Sequence, residues 1–282
     1  MIETIRNAWK IPELRKKMLF TIFALLIFRF GSAIPVPYIN RVGLQQYLTL
    51  QSGTILDLMN AMSGSAFAMA TIFALSIQPY INSSIIIQLL TIAIPSLGRM
   101  AQEGGEEGKK KIQSITRYAT VAIAILQAIG YYFMMKNYNL LEQDGIWVAL
   151  VIIVTLIAGS SFVMWMGEQV TEFGVGNGIS IILFAGILAR IPSMVSGMKD
   201  GIQRWSAIKA GTLTVDTLTA AGYTDTQAQT YLDSALSPWG IVLLIIGMLA
   251  LIMFIVFIND AERRIPVQYA KRQVGRKMYG GQ

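Results

Sequence analysis

The 282-residue chain contains no cysteine and no histidine. It therefore has no thiolate or imidazole to attack a carbonyl, hold a transition metal or relay a proton near neutral pH. Most enzyme chemistry is disfavoured on that ground, and no cofactor or metal is expected. Charge is scarce as well: charged residues make up 14% of the chain, against 54% hydrophobic residues and a mean hydropathy of +0.54. A soluble domain normally carries about 25% charged residues, so a polytopic membrane protein is the leading class. The net charge of +7 then reads as basic residues held on one side of a membrane, ahead of a nucleic-acid surface.

Hydrophobic run lengths predict six spans, near residues 19–34, 67–94, 118–135, 146–166, 179–195 and 238–258. The first run has no A-x-A cleavage site, carries Arg29 and ends in the rigid PVP at 35–37, so it reads as a retained span. Sixteen of the 23 lysines and arginines fall in three blocks. These are Arg6, Lys10, Arg15, Lys16 and Lys17; Arg99, Lys109, Lys110, Lys111 and Arg117; and Arg263, Arg264, Lys271, Arg272, Arg276 and Lys277. The bias places both termini on the cytoplasmic side, which agrees with an even number of spans.

Some segments do not fit a plain span. GTILDLMNAM, residues 53–62, is apolar on one helical face through Ile55, Leu58, Met59 and Met62, but is far short of the ~20 residues a crossing needs. It must dip in or lie on the surface, and Ser63, Gly64, Ser65 and Ala66 behind it suggest a mobile hinge. GEQVTEFGVGNGIS, residues 167–180, alternates Gly174, Gly176 and Gly178. No strand precedes it and no βαβ pattern surrounds it, so a tight turn starting a helix at Ile179 is preferred over a nucleotide loop.

ALSIQPYINSSIIIQLL, residues 74–90, is too polar for an inert span. At helical spacing Ile77, Ile81 and Ile85 form one stripe, while Gln78 and Asn82 form the next. Aliphatic side chains facing a water path can exclude ions by dewetting, and amides beside them can bond across to another helix. Ordinary interhelical contact with lipid-facing isoleucines accounts for the same pattern, and the residues alone leave both readings open.

Taken together, ALSIQPYINSSIIIQLL, GEQVTEFGVGNGIS, FRFGSAIPVP and RRIPVQYAKRQ resemble the motifs of bacterial SecY, the central subunit of the Sec protein-conducting channel. The resemblance implies an all-α polytopic membrane protein, a SecY-like helical bundle made of the first inverted half plus the sixth span. Its expected parts are residues 1–198 with five spans and a plug helix at about 53–65, an external loop at 199–237, the sixth span at 238–259 and the start of a basic docking loop at 260–282. Such a subunit has ten spans, and this chain shows six. Residues 211–237 match no motif of the family.

By motif position, Ile77, Ile81, Ile179 and Leu183 are implied members of the aliphatic pore ring. The plug would present Ile55, Leu56, Leu58, Met59 and Met62. Asn82, Ser83 and Gln127 fall at the lateral gate, and Arg263, Arg264, Lys271 and Arg272 in the loop that docks partners. The implied partners are SecE, SecG, SecA, the ribosome, signal sequences and unfolded preproteins, the lipid bilayer and the remaining half of SecY. The implied location is the bacterial plasma membrane, multi-pass, with the N-terminus cytoplasmic. The implied function is non-enzymatic: polypeptides pass through the pore, and apolar segments leave sideways into lipid.

Two other classes compete. A secondary transporter also uses broken helices, but normally places ionisable groups at mid-membrane, where only Arg29 is clearly inside. Intramembrane proteolysis would need a partner for Ser83 or Ser84, and the chain has no histidine and no aspartate pair within two spans.

Overall fold

Proline sets several of the helix boundaries. The computed structural model describes residues 9–50, 55–102, 104–220, 225–261, 272–274 and 277–279. Its first complete helix, α1 (Pro12–Gly31), follows an extended Ile11, with Pro12 in the first turn, where a missing N–H costs nothing. After α2 (Arg41–Leu50) and α3 (Ile55–Met62) comes α4 (Gln78–Ala93). Pro95 ends α4 by forcing Ile94 into extended backbone and then opens α5 (Pro95–Gln102), giving a 104° bend. The chain continues through α6 (Gly105–Asn137), α7 (Ile146–Phe173), α8 (Gly178–Leu188) and α9 (Ile191–Lys209). Two short helices, α10 (Val215–Ala220) and α11 (Asp225–Asp233), precede α12 (Pro238–Asn259). A small antiparallel hairpin, β1 (Arg272–Val274) with β2 (Lys277–Tyr279), pairs Arg272 with Tyr279.

The chain divides into two compact units, the first ending at Ser193 and the second beginning at Met194. The expected boundary after residue 198 lies five residues beyond this division, and α9 runs unbroken through both positions. In the first unit α6 packs against α4, α5 and α7, and α8 packs against α7, α1 and α3. In the second unit residues 199–237 are not a plain loop. The end of α9 is followed by α10 packed on α11, with Leu218 and Ala228 buried. Arg204 lies over the Tyr231 ring, 4.7 Å from its centroid, and Leu236 donates its N–H to Gly201 O at 3.1 Å.

Four helical runs among the described residues are long and apolar enough to cross a membrane: Gly105–Asn137, Ile146–Phe173, Gly178–Lys209 and Pro238–Asn259. The bent pair α4 and α5 makes up to five. The six expected from hydropathy included α1, which fails this test because only residues 18–28 separate Lys17 from Arg29. At 1.5 Å per residue that uncharged stretch is about 16 Å long, half of a bilayer core.

The largest departure from the sequence reading lies in the second span, expected to be helical from residue 67. Helix begins only at Gln78, and residues 63–77 form a chain of turns. Ser65, Ala70 and Ser76 take positive φ there, at 73°, 47° and 49°. Yet the segment is interior: Ala66, Phe67, Ala70, Phe73, Ala74, Leu75 and Ile77 are all buried. Its polar backbone is satisfied from several sides. Ile34 O accepts from Ile72 N–H, Ala70 O accepts from Val36 N–H, Phe67 O accepts from the Tyr131 hydroxyl at 3.1 Å, and Ser76 O accepts from the Ser160 hydroxyl at 3.3 Å. Irregular backbone is tolerated at membrane depth under that condition. The PVP motif supplies one side of this support, since Pro35 bridges Thr71 while Ile39, a little further on, bridges Leu141.

Candidate functional site

Two close backbone approaches organise the centre of the first unit. At the first, α7 meets the start of α8. A Cβ on Gly178 would lie 2.1 Å from Gly167 O, so only hydrogen fits there. Thr171 Oγ1 fastens the crossing by donating to Gly167 O at 2.9 Å while accepting from Gly178 N–H at 2.9 Å. Asn177 caps α8, its Oδ1 accepting from Ile179 and Ser180 N–H at 3.0 and 3.2 Å. Thr21 of α1 accepts from Val175 N–H at 3.1 Å, which ties the turn to α1. The turn expected in GEQVTEFGVGNGIS is therefore shorter than the motif, because α7 runs on through Phe173.

Above Gly167 three isoleucines converge. A Cβ there would lie 3.2 Å from Ile77 Cδ1, 3.3 Å from Ile179 Cγ1 and 3.5 Å from Ile182 Cδ1. Ile77 and Ile182 are fully buried, in one cluster with Phe28, Phe73, Val163 and Val170. Ile81, Ile179 and Leu183 pack on it half-buried. The four aliphatic residues singled out in the sequence thus share one cluster, from the cap of α4 and one stretch of α8. Along the α4 stripe, exposure rises from 0% at Ile77 to 50% at Ile85. Ile182 was missed, although it stands three residues after Ile179 and therefore on the same helical face.

The second approach joins α8 to the end of α3. Gly64, at φ 65°, lies against Gly186: a Cβ on Gly64 would be 2.9 Å from Gly186 O, and one on Gly186 would be 2.9 Å from Met62 O. The apolar residues of α3 divide between two environments. Ile55 and Leu58 are 74% and 60% exposed, while Leu56 and Met59 pack on the core and Asn60 is buried. Asn60 turns the helix that way because it organises the turn behind it. Its Oδ1 accepts from Ala68 N–H at 3.1 Å and its carbonyl accepts from Ser65 N–H at 3.0 Å. Met62 Sδ accepts from Gln78 Nε2 at 3.5 Å. Ser63, Gly64 and Ala66, expected to be a mobile hinge, are buried. Gly53 and Thr54 lie outside the described residues.

The amides and hydroxyls of the expected gate divide three ways. Asn82 is exposed. Ser83 is buried and donates to Pro79 O of its own helix at 2.6 Å, which leaves its oxygen lone pairs as the group it can offer to a neighbour. Gln127 of α6 is half-buried, and its Oε1 is sequestered without a hydrogen-bond partner among the described residues. A polar cleft of about 670 Å³ opens beside the isoleucine cluster, lined by Tyr80, Lys110, Arg117, Glu168 and Ile179 among others. Across it Arg117 Nε pairs with Glu168 Oε1 at 2.8 Å, and Gln113 donates to the same oxygen at 3.2 Å. Glu168 was not anticipated, since nothing in the sequence places it opposite a helix 51 residues earlier. Arg263, Arg264 and Lys271 lie outside the described residues, and Arg272 begins β1. Among the described residues no group of three or more acidic side chains could hold a metal ion.

Long apolar helices, one of them replaced over its first eleven expected residues by a buried turn segment, enclose an aliphatic cluster with a short helix seated at its edge: this is an all-α polytopic membrane protein. The chain belongs to the SecY family, whose model matches residues 71–282. It is 37% identical to the protein translocase subunit SecY of Aquifex aeolicus over its whole length, which spans 60% of that relative. It is 41% identical to the SecY of Buchnera aphidicola over 96% of the chain and 68% of the relative, and 40% identical to that of Escherichia coli K12 over 96% and 55%. The chain thus spans roughly three fifths of the length of these relatives. Among solved structures, Sec61 in the canine ribosome-channel complex from the endoplasmic reticulum aligns with a TM-score of 0.52 at 17% identity, covering 93% of this chain and 54% of that one. That likeness establishes the shared fold.

Proposed function

We propose that the chain supplies the N-terminal part of the pore-forming subunit of a protein-conducting channel. The observation that carries the reading is the convergence of Ile77, Ile179 and Ile182 on Gly167, flanked by Ile81 and Leu183. A translocating polypeptide presents every kind of side chain, so a pore cannot recognise it through fixed polar contacts. Flexible aliphatic side chains close around any of them and exclude ions by keeping the constriction dry.

In this reading α3 and residues 63–65 are the plug, and Asn82, Ser83 and Gln127 stand at the lateral gate. Gln127 Oε1, sequestered without a partner among the described residues, costs about 1–3 kcal/mol until a group is offered to it. A gate that exchanges partners with a signal sequence makes use of such an atom. Apolar segments then enter lipid, gaining about 0.8 kcal/mol per buried CH₂, and polar segments continue across. No step requires catalysis. Energy comes from a cytoplasmic partner, SecA or the ribosome, docked on Arg263, Arg264, Lys271 and Arg272, with SecE and SecG completing the assembly beside the rest of SecY. The location is the bacterial plasma membrane with the N-terminus cytoplasmic, as the lysine and arginine bias favours.

Proteoliposomes carrying the assembled channel provide the test. ATP-dependent uptake of a preprotein, abolished by reversing Arg263 and Arg264 to glutamate, is the expected result. Coupled uptake of a small solute with no preprotein movement would assign the chain to a transporter instead.

A further inference from the structure

The two close approaches lie on one helix. Ile179, Ile182 and Gly186 are spaced three and four residues apart, so they share one face of α8, which is only eleven residues long. One end of that face meets Gly167 through two isoleucine side chains, and the other meets the end of α3 through backbone alone. Neither partner in the second contact has a rotamer to change. A Cβ on Gly186 would sit 2.9 Å from Met62 O and 3.5 Å from Gly64 N; a Cβ on Gly64 would sit 2.9 Å from Gly186 O and 3.0 Å from its Cα. Beside the contact lies a groove of about 260 Å³, lined by Leu25, Ser63, Gly64, Ala185 and Gly186 among others, into which a displaced segment can move.

We infer that Gly186 is a positioning residue that couples the constriction to the plug: α8 carries part of the aliphatic collar and the plug's seat as one rigid body, so a shift that loosens the collar also unseats the plug. The inference rests on the constriction and plug reading above. It assigns the coupling to a glycine with no part in the collar. Because the seat is backbone on backbone, it holds the segment whatever side chains the plug presents outward, in agreement with the exposure of Ile55 and Leu58.

The chain's lack of cysteine allows a direct test. Ser63→Cys places a thiol at a site 1% exposed, and Thr120→Cys places one at an equally buried site on α6, where the native hydroxyl bonds only its own helix. Each is combined with Gly186→Ala, with Gly64→Ala, or with the control Gly130→Ala, whose Cβ has nothing within 4 Å. Labelling by a small maleimide is measured in vesicles containing the assembled, resting channel. Either seat substitution should speed labelling at residue 63 at least tenfold, leave residue 120 protected, and be matched by no change in the Gly130→Ala channel. Unchanged labelling at 63 overturns the seat. Equal gains at 63 and 120 also overturn it, because Gly186 is then merely a packing position. Resting ion conductance is recorded alongside: faster labelling at 63 without a rise in conductance retains the seat and removes the plug reading beneath it.

Discussion

Residues 63–77 and helix α12 are both apolar, and they satisfy their backbones in opposite ways. Helix α12 is regular from Pro238 to Asn259 and bonds itself throughout, but only Ile241 on it is buried. Residues 63–77 make no helix, take three non-glycine residues into positive φ, and are almost wholly interior. A helix carries its own hydrogen bonds and can face lipid or another subunit, whereas irregular backbone needs Tyr131, Ser160 and the PVP strip around it. Hydropathy cannot separate the two cases, because burial within protein and burial within lipid demand similarly apolar residues.

The comparison breaks most severely at Gly159 of α7. A Cβ there would lie 1.9 Å from Ile72 O, so Gly159→Ala must push the turn segment outward. A loss of about 3 kcal/mol is expected, read from thermal unfolding in detergent. A loss under about 0.5 kcal/mol would mean that the segment needs no tight wall. Tyr131→Phe removes the hydroxyl from buried Phe67 O with little change in volume. It should cost about 1–3 kcal/mol, the penalty of an orphaned carbonyl. Equal stability in the two proteins would show that another group satisfies that oxygen.

The Arg117–Glu168 pair ranks next. Glu168 is 10% exposed but Arg117 is 47% exposed, so solvent screens much of the attraction. A double-mutant cycle with Arg117→Gln and Glu168→Gln should give a coupling of about 1 kcal/mol, falling with added salt. Coupling of about 3 kcal/mol that ignores salt would show the pair to be fully desolvated. The smallest effect is expected on α12. Leu251 is 58% exposed, and Leu251→Ala should change the unfolding free energy of this chain by less than about 0.5 kcal/mol. The same substitution in the full assembly reports whatever covers that face.

Much of the fold was legible. The ends of α6 and α7 on the apolar side follow the hydrophobic runs, the alternating glycines place the start of α8 within one residue, and the sixth run begins with α12 at Pro238. The missing helix at 67–77 was not legible, since Phe67, Ile72, Phe73 and Ile77 suit a helix or a buried turn equally well. Which face of α3 packs inward was not legible for a related reason. Counting apolar residues favours Ile55 and Leu58, but the deciding residue is polar: Asn60 bonds the turn behind it and draws its own face inward. At the candidate site, Ile77, Ile81, Ile179 and Leu183 stood out from motif position and Ile182 was within reach of helical periodicity from Ile179, whereas Gly167 and Gly186 depend on which helices cross, and periodicity carries no such information.

The central claim is that the isoleucine cluster keeps the resting channel dry. Its most direct measurement is single-channel conductance in planar bilayers with Ile77→Ser and Ile179→Ser together, compared with Ile86→Ser on the exposed side of α4. The account predicts frequent resting openings and a conductance at least tenfold above the unsubstituted channel for the double variant, with Ile86→Ser silent. A double variant as tight as the unsubstituted channel would contradict it.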